Sequence, residues 1–302
     1  MSAIGAGGML RRRRAGTTTL GRRTRSLGVV GVCSAVVIAV AALIAVFGPL
    51  LAPHDPNASQ LSNAFFGPAA GHPLGFDGQG RDLLSRLLAG ARTSLLGPLF
   101  VVAVSMTAGV SIAIACAWFG GRVDRAASAA LNVLFAFPAI LLAVVATTVF
   151  GPGLVAASLA LSIAYTPYIA RVVRSAAVRE RYQQYVEALE VQGLPGRVIC
   201  LRHLVPNVAP IVVAQGTTLF GYAMVDLAAI SYIGLGVQPP DADWGVMVAQ
   251  GQSGVLQGYP AESLAAGGCI VVVVVAFNLL GERLSARSGS APSPAAPEEA
   301  AA

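Results

Sequence analysis

The chain contains no lysine; all 20 of its basic side chains are arginine. That absence removes the phosphate-cradling Gly-Lys-Ser/Thr loop of nucleotide hydrolases and any Schiff-base lysine chemistry. Charge is scarce as well. Only 11% of the 302 residues are charged, against roughly 25% in an average soluble domain, and mean hydropathy is +0.70, so a soluble globule is excluded. The four cysteines, Cys33, Cys116, Cys200 and Cys269, lie in or beside apolar runs without metal-ligand spacing. They read as buried small apolar residues or free cytoplasmic thiols, with no disulfide framework. Histidine is limited to His54, His72 and His203, in three separate segments, which predicts no shared metal site. No Ser/His/Asp set or carboxylate pair converges by its spacing, so catalysis by this chain is not expected. A net charge of +6 would suggest nucleic acid in a soluble protein. Here the arginines gather at the ends of apolar runs, where they set orientation in a lipid bilayer, and no nucleic-acid partner is expected.

What is present is a succession of apolar runs. Residues 1–26 carry Arg11 to Arg14, Arg22, Arg23 and Arg25 among Gly, Ser and Thr, a composition that predicts a disordered cytoplasmic tail. The run at 27–51 would reach ~37 Å as a helix. It is too long for a signal-peptide core and lacks a small-residue cleavage site, so an uncleaved first span is predicted. Residues 52–92 turn polar and rich in Pro and Gly. They end in an amphipathic pattern, with Leu83, Leu84, Leu87 and Leu88 on one face and Arg81, Asp82, Ser85 and Arg86 on the other, which predicts a helix lying on the membrane interface.

Five further spans are predicted, at about 95–119, 127–150, 154–173, 207–236 and 261–280, with Pro138 as a kink inside the third and Pro167 within the fourth. They make up a core at 93–284 with a polar hairpin at 185–205, followed by a disordered tail at 285–302. With both termini in the cytoplasm, every arginine except Arg81, Arg86 and Arg92 lies inside, as the positive-inside rule requires. The fold class expected is all-α: a polytopic membrane protein with six transmembrane helices and an extracytoplasmic segment between the first two.

The polar stretch from Tyr185 to Pro210 interrupts this pattern most sharply. Helix formers from Val186 to Gln192 stop at Gly193, Pro195 and Gly196 add a turn, and Arg197 to Leu204 begins a second helical piece. A plain connecting loop would have the same outline, but the order of residues is more particular. Glu187-Ala188-Leu189 followed by Gly193, then Arg202-His203-Leu204 and Pro206-Asn207, resembles the E-A-A-x-x-x-G signature of the membrane subunits of ABC-type importers. Leu189 stands where a second Ala is usual, a bulkier side chain that bears on packing against the ATPase. The resemblance implies a coupling helix from about Glu187 to Leu194, with Glu187, Ala188, Gly193, Leu194, His203 and Pro206 at the ATPase contact.

A second resemblance sharpens the first. His72-Pro73-Leu74-Gly75-Phe76-Asp77, continuing through Gly80-Arg81-Asp82 to Ser94-Leu95, is similar to the segment between the first two spans in the second permease subunit of dipeptide, oligopeptide and nickel importers. Ile230 to Pro240, Asp243-Trp244-Gly245 and Phe277 to Leu284 resemble the same family, so the likeness covers about 52–284. It implies the type I importer permease fold in a bacterial inner (cytoplasmic) membrane. It also implies a heterodimer with a homologous permease subunit, two cytoplasmic ATPase domains, an extracytoplasmic solute-binding protein and a peptide substrate. No cofactor would be bound by this chain; ATP and Mg would sit at the partner subunits. Asp77, Arg81, Asp82 and Trp244 would lie near the binding protein, or the charges among them would only pair with one another. Pro138 and Pro167 would either flex during alternating access or be structural, their freed carbonyls satisfied by neighbouring helices.

Asp226 falls within the fifth span, where an ionised carboxylate costs at least ~2.5 kcal/mol. It would serve a pathway or gating role or, protonated, an interhelical hydrogen bond. The family's usual acid falls one residue later, at Leu227, so no role is carried onto Asp226. The alternatives kept open are an importer of nickel or another small solute, an ATP-independent secondary transporter, for which inverted repeats would be expected, and a non-transporting membrane scaffold.

Overall fold

In a computed structural model residues 28–288 are described, and among them every regular element is helical apart from two isolated bridges, Ala69 with His72 and Phe76 with Asp82. In chain order the helices are α1 (Gly28–Leu51), α2 (Leu83–Phe119), α3 (Gly121–Phe135), α4 (Ala139–Phe150), α5 (Leu154–Arg181) and α6 (Gln184–Val191). There follow α7 (Gly196–Tyr232), which includes a π-helical turn at Cys200–Leu204, then α8 (Trp244–Gln250), α9 (Gln252–Leu256) and α10 (Ala261–Ser288). Among the described residues five helices are individually long and apolar enough to cross a bilayer: α1, α2, α5, α7 and α10. The first tail and residues 289–302 lie outside the described residues, while residues 285–288, expected in the second tail, continue α10.

The third span departs from expectation. The run at 127–150 does not form one kinked helix; α3 and α4 meet at 78° across a break at residues 136–138. Pro138 lacks an N–H and disfavours helical backbone at Phe137. The sequence on either side then turns a kink into a corner. α3 buries none of its residues in this chain, while α4 inserts Ala143 and Thr147 into the core. At 12 residues α4 is ~18 Å long, short of the ~30 Å hydrocarbon thickness, so the sixth crossing exists only if the bent pair counts as one. Arg174 pairs with Asp124, and Arg171 lies 4.4 Å over the Phe135 ring, which ties α3 to α5.

The central element is α2, whose 37 residues extend ~55 Å. It begins where the Asp82 side chain accepts the Ser85 N–H at 2.8 Å, a capping contact that satisfies a backbone donor at the helix start. The amphipathic stretch near Leu83 is therefore the first turns of this span and not a separate helix on the membrane interface. Leu83, Leu87, Leu95, Phe220, Met224, Trp244 and Val273 form one buried cluster, and Phe220 stacks on Phe277 at 3.8 Å. Val101, Leu161, Leu227 and Ile230 form a second, at mid-length. Ile114, Ile169, Val173, Val186, Ile199, Leu204 and Leu219 form a third, at the far end of α2. Val36, Val40, Leu43 and Phe47 of α1 face outward and exposed, as expected of a surface turned to lipid or to another membrane helix.

Candidate functional site

The hairpin of α6 and the start of α7 sits against the last turns of α2. Val186, Ile199 and Leu204 are completely buried in the third cluster, so each arm is anchored by large apolar side chains. A Cβ placed on Gly196 would lie 2.4 Å from the Trp118 ring, so α7 starts that close to α2 only because this residue has no side chain. α6 ends in a Schellman motif: Gly193, at φ +79°, donates to the Glu190 carbonyl at 2.9 Å and Leu194 to the Leu189 carbonyl at 3.2 Å. Two orphan carbonyls are satisfied in this way, and the chain reverses at a backbone angle that side chains disfavour.

Polar contacts lock the base of the hairpin. Tyr185 donates to Glu180 at 2.7 Å, and Asn207 reaches both, at 2.7 Å and 3.0 Å. Burial, together with the Glu180 carboxylate, pushes the Tyr185 phenol up to about 12, so it remains a protonated donor. Arg181 bonds Glu190 at 2.8 Å and covers the Trp118 ring at 4.4 Å. Opposite this fixed base, Glu187, Ala188, Gly193 and Pro206 are exposed, with Leu189, Leu194 and His203 half-buried beside them. His203 lies 6.4 Å from the Tyr185 ring. Val191, which the sequence did not single out, is 89% exposed at the tip. An apolar side chain held open on a rigid edge is the composition of a docking surface. Its helical position three residues after Ala188 was the available signal.

The opposite end of α2 is also polar, but folded inward. Asp77, Arg81, Asp82 and Trp244 are each at most 4% exposed. Of the two readings kept for these charges, pairing with one another is present, and all four side chains are buried within this chain. Asp77 Oδ2 lies 2.6 Å from Arg81 Nε and 3.5 Å from Arg86 Nε. The Gln250 side chain accepts from Arg81 at 2.8 Å and from Arg86 at 3.3 Å. Buried Glu262 lies within electrostatic reach of the same three groups. Trp244 donates its indole N–H to the Leu87 carbonyl at 3.0 Å. Asp243 caps α8 by accepting from Gly245 at 2.9 Å, and accepts from the Ser94 hydroxyl at 2.7 Å. Burial nonetheless raises its carboxyl above the ordinary value.

His54 and His72 are likewise not apart. Their rings stack at 4.2 Å, the Phe76 ring lies tilted 4.3 Å from that of His72, and both histidines reach Asp82, at 3.9 Å for His54 and 2.9 Å for His72. Sequence spacing hid this because 52–82 folds back on itself through turns at Gly71 and Gly75, both at positive φ. Only His203 lies elsewhere, at the hairpin. Burial pushes the Asp82 carboxyl up, but hydrogen bonds from Ser85 and His72 outweigh it and hold the group below its usual range.

Between the two ends, Tyr165 on α5 donates to Asp226 Oδ2 on α7 at 2.6 Å. Of the two readings kept for Asp226, the interhelical hydrogen bond is present, with tyrosine as donor. Tyr168 repeats the pattern with Gln215 at 2.8 Å.

Comparison with known proteins finds matches over most of the chain. The family described as "Binding-protein-dependent transport system inner membrane component" matches residues 105–289, and the "N-terminal TM domain of oligopeptide transport permease C" matches residues 29–68. The chain is 34% identical to the dipeptide transport system permease protein DppC of Alkalihalophilus pseudofirmus, over 87% of this chain and 85% of that one. It is 35% identical to the probable D,D-dipeptide transport system permease protein DdpC of Escherichia coli, over 83% and 84%. In fold it is similar to a chain of an inward-facing structure of the MetNI methionine ABC transporter, with TM-score 0.52 and 21% identity over 68% of this chain and 96% of that one.

Proposed function

Because the chain belongs to the binding-protein-dependent transport system inner membrane component family, we propose that it is a peptide-importing permease subunit in which the 184–206 hairpin receives the motion of a cytoplasmic ATPase. It forms half of a translocation pathway with a homologous permease chain, takes di- or oligopeptides from an extracytoplasmic binding protein, and leaves ATP and Mg to its two ATPase partners. Both termini and the hairpin face the cytoplasm, which puts Arg171, Arg174, Arg179 and Arg181 of α5 and Arg197 and Arg202 of α7 on the inner side. Glu187, Ala188, Gly193, Leu194, His203 and Pro206 form the coupling surface, together with Val191.

The observation that carries this reading is the rigid base beneath an exposed edge. Val186, Ile199 and Leu204 fix the hairpin to α2, α5 and α7, so a push on its tip moves those helices as a body instead of bending a loop. A loop that merely connected spans would need no such anchoring. Peptide is preferred over nickel as substrate on the names of the relatives.

The test is reconstitution of the two permease chains, the ATPases and the binding protein in proteoliposomes, with labelled dipeptide and Ni2+ offered separately. ATP-dependent dipeptide accumulation supports the proposal. Accumulation at full rate by this chain alone, without nucleotide, overturns it. Nickel uptake in place of peptide uptake overturns the substrate assignment.

A further inference from the structure

The side chains of His54, His72 and Asp82 present one nitrogen or oxygen each, all within 4.8 Å of one another. They come from three places: the loop just after α1, the fold-back turn of the 52–82 segment, and the cap of α2. We propose that these three residues hold a divalent ion of the Zn2+ class, which pins the end of the first span and the polar segment to the start of the second. The proposal goes beyond the transport reading and does not depend on it.

The donor set suits such an ion. Two imidazoles and a carboxylate match the borderline preference of Zn2+ and its neighbours, and bond lengths of roughly 2.0–2.2 Å place tetrahedral ligand atoms about 3.4 Å apart. His72 Nδ1 and Asp82 Oδ1, at 2.9 Å, need to open by only about half an ångström to admit the ion at that spacing. The ligand atom that His54 offers lies within 4.8 Å of the other two and needs to close by about an ångström or less. The His54 side chain is 40% exposed, so its outer side is open to solvent.

The surroundings already orient the ligands. Asp82 Oδ2 accepts from the Ser85 backbone N–H at 2.8 Å and from its hydroxyl at 2.5 Å. The carboxylate plane is therefore set, leaving Oδ1 directed at His72. The same Ser85 hydroxyl oxygen accepts the His54 backbone N–H at 3.1 Å, and Phe76 backs the His72 ring. Hydrogen bonds such as those from Ser85 to Asp82 are of the kind that hold metal ligands in register. The exposed side of His54 leaves a fourth position for water. With no ion, the two stacked rings share one carboxylate; with the ion, all three groups are satisfied by a single centre.

The test uses the full chain on a histidine-free tag, purified in mild detergent, stripped with EDTA and titrated with Zn2+ alone, with Co2+ as a spectroscopic substitute. Wild type is expected to retain one Zn2+ per chain, to show a tetrahedral Co2+ absorption band, and to gain melting temperature on Zn2+ addition. His54→Gln and His72→Gln should each weaken binding by about 100-fold or more, since even changes to outer contacts cost 10–100-fold, and should lose the Co2+ band. His203→Gln, at the other end of the molecule, should bind as wild type does. Wild-type protein that retains no Zn2+ overturns the proposal, and so do His54→Gln and His72→Gln chains that bind it undiminished. Because His54 is partly exposed, its variant keeps the fold, and a Zn2+ effect on melting seen in wild type and absent in that variant separates metal loss from misfolding.

Discussion

At the hairpin, Glu187, Ala188 and Gly193 stand open while Val186, Ile199 and Leu204 are sealed beneath them. At the other end of α2, ~55 Å away along the helix, the arrangement is inverted: Arg81, Arg86, Asp77 and Glu262 are sealed and the ordinary loop backbone lies outside. Both stretches are polar in sequence, and each carries a resemblance to motifs of the importer permeases. Their burial separates two tasks. Charges turned inward fix one shape of the segment between spans, since each is costly to leave unpaired. Charges and small residues turned outward on an apolar footing leave a surface for something else to hold.

The sharpest way to break this contrast is to remove one inward charge. Arg86→Leu leaves Asp77 and Glu262 facing Arg81 alone in a buried site, and breaking such a pair costs about 3–5 kcal/mol. The expected outcome is a large fall in melting temperature and in the yield of inserted protein, read by thermal melting in detergent. An unchanged melt would mean that the inward network does not hold the fold. Gly193→Val tests the outward end. Open space surrounds the position, so the change acts only through the φ of +79°, a strain of about 1–2 kcal/mol for a residue with a Cβ. Insertion should survive with a modestly lower melt, while ATP-driven uptake in proteoliposomes is lost because the reversal of α6 is misdirected. Full uptake would remove the hairpin from the mechanism. Tyr165→Phe lies between the ends, deleting the bond to Asp226. Interhelical bonds in membranes average about 0.6 kcal/mol, so a small loss of melting temperature is expected; a loss as large as that of Arg86→Leu would show that the mid-membrane contact, not the outer network, fixes the helices.

How much of this was legible in the sequence follows the range of the interactions. The hairpin was readable because its signals are local: Gly193 and Pro195 stop one helix and start the next within a few residues. The number and order of apolar runs were readable for the same reason. Pairing among Asp77, Arg81 and Asp82 was readable as an alternative, since Asp77 and Arg81 stand four residues apart, but its burial was not, because Arg81 meets Gln250 169 positions away. His54 and His72 looked remote for want of the fold-back between them. The third span was read as a kink at Pro138, and that residue is indeed where the chain turns. A corner of 78° also needs α3 to stay out of the core while Arg174 and Arg171 of α5 hold it at Asp124 and Phe135, which is a property of the neighbours and not of the run itself. The start of α2 was misplaced by about a dozen residues because amphipathicity suggested an interface, whereas its polar face is covered by α8 and the 52–82 segment.

The smallest structural effect, and the most specific functional one, belongs to Glu187. Its side chain is exposed, it sits in the first turn of α6, and no ion pair involves it among the described residues. Glu187→Gln should therefore change stability by less than about 0.5 kcal/mol, as surface substitutions generally do, and thermal melting should not distinguish it from wild type. If the outward face exists to be held, the lost charge must appear elsewhere, as weaker retention of the ATPase on co-purification and as reduced nucleotide-driven uptake at limiting ATPase. A charge contact at an interface rim acts through electrostatic attraction, so the defect should narrow as salt weakens the wild-type complex toward the variant. Should Glu187→Gln instead lower the melt while leaving ATPase retention intact, the carboxylate would belong with Asp77 as a structural group, and the distinction between the two ends would lose its strongest residue.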